Sequence, residues 1–557
     1  MSKLLNAFKL LFEEGPSGVI RVTKYYMDEE KKKNFFVKQS QPFHLISKEE
    51  RKKQQEHRFK SNIKFSILTP LYNTDKKYLE ELFHSLENQT YKNWELCLAD
   101  GSDEEHQNVK AVCEKWMKRD KRIKYTKLLE NKGISENTNA CIDLATGDYF
   151  GLLDHDDVLH ESALFEMAKA IEEENADFLY SDEAKFSGAI EEVTDFTFKS
   201  GFGKDELRSH NYICHFTVFS KELLKTLGIC FRPEFDGSQD HDLVLRLTEN
   251  AKKIKHISKI LYYWRVHPGS VSMDLDTKSY AVDAAVRAVE EQLIRQKEYG
   301  TVRCNLPYRT IYRTEYKIDK LEKVSILLHH LNKDDDFDKL KSEIISATDY
   351  PEVEVTCIDG FTKGFAEACN LAIKESDGKY IVLLNAKCRP KENNWLREMV
   401  MYAQRNDVCA VGNKVLYQNA TVCHAGISLD NTREEKVRFL CEGHADSDQG
   451  YEAMMRHVRN TTAVWDGCCM FKKSTFEELG GFRNNISGYE LIDFCLKGIE
   501  AGYWNVWSCF SEMIFESNRE SLDTYPNGKN EFCHIWQKKI ESEDTYCHHV
   551  LRDLNLI

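Results

Sequence analysis

The segment from Lys132 to Leu153 returns at Lys363 to Leu384 in a single register 231 residues on. Asn139 meets Asn370, Gly147 meets Gly378, Tyr149 meets Tyr380 and Leu152 meets Leu383. A second register, at 251 residues, joins Phe231-Arg232, Gly237, Asp242 and Leu245 to Phe482-Arg483, Gly488, Asp493 and Leu496. Two independent registers mean one fold used twice. A chain of 557 residues is in any case too long for one core, so two globular domains with flanking pieces are expected.

The repeat omits the acids. In the first copy the apolar strand Gly147 to Leu153 runs directly into Asp154-His155-Asp156-Asp157; in the second, Asn385 and Lys387 stand where Asp154 and Asp156 do, and Leu491 stands for Asp240. Ligands of open α/β sheets gather at the carboxyl ends of the strands, and a divalent ion held by one or two carboxylates takes its other ligands from phosphate oxygens and water. The end of this strand is therefore where a metal and a diphosphate would sit. Three acids so close together repel one another without a cation.

Around this motif the pattern alternates. Ile63 to Thr69, Trp94 to Ala99, Tyr125 to Leu129 and Tyr149 to Leu153 read as strands, and Leu79, Leu82, Phe83 and Leu86 share one helical face. Asn137 to Leu144 reads as a helix, and Val324 to Leu328 and Val353 to Ile358 reopen the pattern in the second half. Strand and helix in alternation predict α/β, doubly wound, mainly parallel sheets. The expected division is a helical lead-in over 1–61, a first domain over 62–300, a linker over 301–322, a second domain over 323–520 and a tail over 521–557.

A net charge of −14 argues against nonspecific nucleic-acid binding, which needs a basic face. No stretch nears the ~20 apolar residues needed to cross a bilayer, and the lysine-interrupted N-terminus does not read as a secretory signal. A cytoplasmic protein is expected. Leu4, Leu5, Phe8, Leu11 and Phe12 have helical spacing and either pack on the body of the protein or rest on a membrane surface beside Lys3 and Lys9. The 18 cysteines are scattered through apolar runs and read as reduced, and Cys214-His215, Cys423-His424 and Cys547-His548-His549 lack zinc-site spacing.

Taken in order, Ser66-Ile-Leu-Thr-Pro-Leu-Tyr-Asn, Gln89-Thr-Tyr, Trp94 to Ser102, Asn131-Lys-Gly, Gly147-Asp-Tyr, Leu153-Asp-His-Asp-Asp and Gln239-Asp-His-Asp-Leu resemble bacterial family 2 glycosyltransferases of the GT-A fold. The resemblance spans about 62–300 strongly and 322–520 as a divergent copy, in the manner of tandem enzymes of cell-surface polysaccharide or rhamnose-rich glycan assembly. It implies an inverting, metal-dependent transfer from a nucleotide-sugar donor, UDP- or dTDP-linked, to a glycan or lipid-linked glycan acceptor at the inner face of the membrane. By position, Asp100 contacts base or ribose, and Thr69, Pro70 and Tyr72 line the nucleotide pocket. Asp154 and Asp156 match the Asp-x-Asp signature that holds Mg²⁺ or Mn²⁺ against the diphosphate. Asp240 matches the general base that takes the acceptor proton, with Gln239 where relatives carry glutamate. Arg265 and His267, in Trp264-Arg-Val-His-Pro-Gly-Ser270, match a late loop that closes over phosphate. Asp157 is read as a cap for the next helix, Asp242 as structural, and His215 as either acceptor-side or packed.

The second copy lacks the metal pair and the base, and reads Ile514-Phe515-Glu516-Ser517 where relatives carry histidine before Glu-Ser. It is expected to be inactive. Lys387 would offer a positive charge in place of metal if that domain worked, and Trp395, Trp465 and Trp504 either stack on sugars or belong to the core. Competing readings make both domains active, or make the chain a noncatalytic glycan-binding scaffold.

Overall fold

The computed structural model describes residues 30, 31, 33–267, 279–331, 335–358 and 364–557. The N-terminal apolar stripe at Leu4 to Phe12, the loop after His267 and the turn at Asp359-Gly360 lie outside them.

The first sheet contains β1 (Phe65–Leu71), β2 (Trp94–Asp100), β3 (Ile123–Lys127), β4 (Tyr149–Leu152), β5 (Val158–Leu159), β6 (Phe178–Phe186), β7 (Val193–Thr197), β8 (Val218–Ser220) and β9 (Ile254–Arg265). Its order is β3-β2-β1-β4-β8-β6-β9-β5, with β7 on the side of β6. β3, β2, β1 and β4 run parallel, β8 enters antiparallel, and β6 and β9 are again parallel. A hairpin, β10 (Gly300–Asn305) and β11 (Tyr308–Tyr316), occupies the segment expected to be a linker.

The second sheet contains β12 (Val324–His329), β13 (Val353–Cys357), β14 (Tyr380–Asn385), β15 (Cys388–Pro390), β16 (Val408–Tyr417), β17 (Cys468–Lys472) and β18 (Trp504–Phe515), in the order β13-β12-β14-β17-β16-β18-β15. Strand for strand this is the first sheet without its β3 edge. The repeat in sequence is a repeat in topology.

Small polar clamps recur with it. Ser66 Oγ donates to Glu95 and accepts from Gly147 N (2.8 Å); Ser325 Oγ does the same with Glu354 and Gly378 N (2.8 Å). A Cβ on Gly147 would lie 2.6 Å from both Lys64 O and Ser66 Oγ, so only glycine fits. Asn139 exchanges both amide hydrogen bonds with the Phe231 backbone (2.9 and 3.0 Å), and Asn370 does so with Phe482 (both 2.9 Å). Buried Asp242 binds Arg232 and Arg246, and buried Asp493 binds Arg483, Lys497 and Trp536. The residues kept in both copies thus close backbone gaps or pair buried charge, which any copy of the fold requires.

The domains are joined by ions. Asp205, on the Lys204–Ser209 helix, is buried against Arg405 and Asn460 of the second domain, while Arg208 and Lys204 bind Glu298, the latter also reaching Asp407. The tail then returns to the first domain. His548 Nε2 and His256 Nε2 flank the buried Asp182 carboxylate at 2.9 and 2.8 Å, and His549 pairs with Glu543. Among the described residues no helix is long and apolar enough to cross a membrane.

Candidate active site

A cavity of about 840 Å³ opens at the carboxyl ends of β1 and β4. Its lining includes Asp154 and Asp156 after β4 and Asp240 in the first turn of the Gln239–Asn250 helix, together with Pro70 and Tyr72 after β1 and His267 after β9. Six of the residues expected at the site from sequence are therefore gathered in one space.

The acids divide the work. Asp156 Oδ2 lies 2.9 Å from His267 Nε2. Asp154 faces His215, Nε2 at 3.6 Å; burial opposes its charge, but the imidazole holds the carboxyl below its usual range. Asp157 turns inward, accepting from Tyr262 Oη (2.5 Å) and the Arg265 amide (2.7 Å); burial first, then Asp156 and Asp154, push its carboxyl well above normal. It does not cap the next helix, which starts at Ala163 with Ser162 before it: β9 lies across Asp157 and satisfies it instead. Asp154, Asp157 and His215 offer ligand atoms all within 4.8 Å of one another. A carboxylate-dominated set with imidazole at its edge suits a hard divalent cation such as Mg²⁺ or Mn²⁺.

Three expected donor contacts sit behind the wall. Arg265 is fully buried, its guanidinium donating to Asp156 O (2.6 Å) and Glu81 (2.6 Å) between the rings of Tyr78 and Phe186. Thr69 is buried with its hydroxyl unpartnered, and Asp100 accepts from Ser102 N (2.8 Å) and Tyr125 Oη (2.7 Å) with Lys127 at 3.6 Å. None of the three lines the cavity. Asp240 does, its Oδ2 accepting from Asn211 Nδ2 (2.8 Å) at the positive end of its helix.

One residue escaped the sequence reading, which leaves His215 with two roles. Glu183, on β6, is buried between Lys199 (2.9 Å) and His215 Nδ1 (3.3 Å). His215 in turn stacks on Tyr262, centroids 4.5 Å apart. Burial works against a charged imidazole there, yet Cys214, Asp154 and Glu183 hold it well above its ordinary value. The signal was available: at the 231 register Glu183 meets Lys414. The strand pairings agree, setting Glu183 opposite Tyr262 in the first sheet and Lys414 opposite Glu512 in the second.

In the second domain the matching positions are neutral or basic. Lys387 Nζ bonds both oxygens of Asp335 (3.1 Å each), Asn385 accepts from the Lys387 amide, and Lys414 binds Asp446. Trp395 is fully buried and donates to Thr348, so it belongs to the core.

The cavity wall is not the first domain's alone. Tyr451, Glu452, His457 and Arg459 of the second domain and Tyr546 and His548 of the tail also line it. No local motif announces this, because it depends on how the two copies pack.

The Glycosyl transferase family 2 profile matches residues 66–228 and 343–480, together more than half of the chain. The uncharacterized protein y4gI of Sinorhizobium fredii is 32% identical over 489 residues, covering 80% of this chain and 52% of that protein. The O-antigen biosynthesis protein RfbC of Myxococcus xanthus is 30% identical over 469 residues, 78% of this chain and 35% of that protein. This chain thus spans about half, or less, of the length of these relatives. Among solved structures, S. aureus TarS 1-349 in complex with UDP-GlcNAc aligns with 42% of this chain and 67% of its own, at 24% identity and a TM-score of 0.35. With one profile matched in each copy, the chain belongs to glycosyl transferase family 2.

Proposed function

We propose that this chain is an inverting, metal-dependent glycosyltransferase that moves a sugar from a UDP- or dTDP-sugar to a glycan, in the first domain only. The observation that carries the reading is the shared cavity of Asp154, Asp156 and Asp240, set against Asn385, Lys387 and Leu491 in the second copy. Family membership and a polysaccharide-assembly relative, RfbC, support it.

Asp240 takes the acceptor hydroxyl proton as that oxygen attacks the anomeric carbon, and Asn211 orients its carboxylate. Asp154 and Asp156 hold Mg²⁺ or Mn²⁺, which when bound supplies positive charge to the departing diphosphate. His215, fixed by Glu183 and the ring of Tyr262, places the Asp154 carboxylate; Arg265 fixes the Asp156 backbone; His267 orients the Asp156 side chain. Pro70 and Tyr72 receive the nucleotide, and Asp100 and Thr69 shape the strand ends beneath it. The acceptor is a lipid-linked surface glycan, met at the cytoplasmic face of the membrane. Mostly buried, unpaired cysteines suit a reducing compartment.

The test is nucleoside diphosphate release from UDP-, GDP- and dTDP-sugars with Mn²⁺ or Mg²⁺ and a cell-wall lipid extract. We expect one donor to turn over, Asp156→Ala to lower the rate at least ~100-fold, and Lys387→Ala to leave it within about twofold. Equal loss in both variants would assign chemistry to both domains, and no turnover of any donor would favour the scaffold.

A further inference from the structure

A loop of the second domain forms part of the cavity wall, and that loop is held in an unusual shape. Glu452 and Ala453 both adopt left-handed backbone, φ 46° and 57°, without being glycine. Non-glycine residues keep that conformation only where their surroundings impose it, and such sites cluster where ligands bind. Here the surroundings are explicit. Tyr451 Oη accepts from Phe198 N (2.8 Å) and donates to Phe196 O (3.0 Å) in the first domain, and its ring meets Phe36 edge-on. Gly450 N donates to Asp448, and His457 Nδ1 donates to Ala453 O (3.0 Å).

The outcome is a carboxylate pointed into the space between the domains. Glu452 lines the cavity, where the charges of Lys185 and Lys199 act on its carboxylate. Five residues on, His457 is 1% exposed and lines the same cavity with Nε2 lacking a hydrogen-bond partner; Glu206 stands 3.9 Å away. On the first-domain side Asn211 Oδ1 and His155 Nδ1 are likewise buried and unpartnered. Buried polar atoms left open on both walls of one cavity imply a polar ligand between them. Trp264, Phe198 and Tyr546 add aromatic faces.

We propose that the second domain supplies the acceptor subsite of the first, with Glu452 and His457 taking hydroxyls of a neutral saccharide unit at the acceptor's end. This rests on the transferase reading above. The charge favours a neutral sugar: Asp154, Asp156, Glu183, Glu206, Asp240 and Glu452 line the cavity against Lys185, Lys199, Arg309 and Arg459, with Lys199 bound to Glu183 and Arg459 donating to the carbonyls of Met454 and Ala425. An anionic acceptor would meet repulsion there. A carboxylate and a ring nitrogen lining one cavity can each accept from a sugar hydroxyl, and aromatic faces cover the sugar's C–H side.

The full chain, with UDP and Mn²⁺ present, would be titrated with methyl glucoside, galactoside, rhamnoside and N-acetylglucosaminide, and with methyl glucuronide as the anionic probe, followed by saturation-transfer difference NMR. We expect at least one neutral glycoside to bind, Glu452→Ala and His457→Ala each to weaken it at least ~10-fold, and Glu452→Gln to recover part of the loss, with melting temperatures confirming that the variants fold. Unchanged binding in both alanine variants, no binding of any glycoside, or preference for the glucuronide would overturn the proposal. Glycoside binding that depends on Glu452 in a chain that binds no UDP would remove the transferase reading and leave the subsite standing.

Discussion

Glu490 shows how one position registers a lost chemistry. It lies beside Leu491, at the site matching Gln239, and is 4% exposed. Burial, with Asp466 adding to it, pushes its carboxyl up to about 7 from 4.5. A carboxyl whose folded pKa is raised costs nothing below its unfolded value, and its cost grows as pH rises, to its full size above the folded value. Glu490→Gln is therefore expected to stabilise the chain by about 3 kcal/mol at pH 8 and by almost nothing at pH 4.5, read from urea denaturation at both pH values. A variant equally stabilised at both would show that the gain is packing rather than charge. Asp242 shifts the other way: burial opposes its charge, but Arg232 and Arg246 hold its carboxyl below the usual range.

At the scale of elements, the Asn139 and Asn370 clamps fasten a helix to the backbone after the next strand crossing in each copy. Each replacement by alanine strands one backbone N–H and one C=O, so both variants should lose about 1–3 kcal/mol by urea denaturation. Asn370→Ala should keep its turnover while doing so. This is also where the sequence was most readable. Strands such as β1, β2 and β12 are apolar runs with a fixed partner on each side, and the repeat exposed them twice. The acids after β4 were legible because carboxylates seldom follow an apolar strand without a purpose. The burial of Asp100, Thr69 and Arg265 was not legible, since it is set by neighbouring strands that no local pattern names. Glu183 lies on β6, a strand the sequence reading did not name, and His215 was left open for the same reason. The hairpin at 300–316 escaped because β10 is half exposed and β11 mixes buried Ile311, Tyr312 and Tyr316 with charged residues, so neither strand shows a clean apolar run.

Across the whole molecule, the two copies are bound by buried charge rather than by a flexible joint. Removing Asp205 would leave Arg405 with Asp407 and Asn460 with the Asn505 carbonyl, so the cost is that of buried hydrogen bonds to a charged group, about 1–3 kcal/mol. We expect Asp205→Ala to lower the melting temperature and the intact chain to melt in one calorimetric transition. Two separate transitions in the wild type would contradict a shared cooperative unit. The paired lysines of the second copy carry a consequence for descent. Lys387 is matched to Asp335, and Lys414 to Asp446 and Glu512. Changing Lys387 back to aspartate would set it against Asp335, and changing Lys414 back to glutamate would set it against two acids. Each single step back brings like charges together before any cation site exists to join them. The duplication behaves as a ratchet: once the lysines found their partners, the path to a second catalytic centre closed behind them, and only the wall they leave standing remains open to selection.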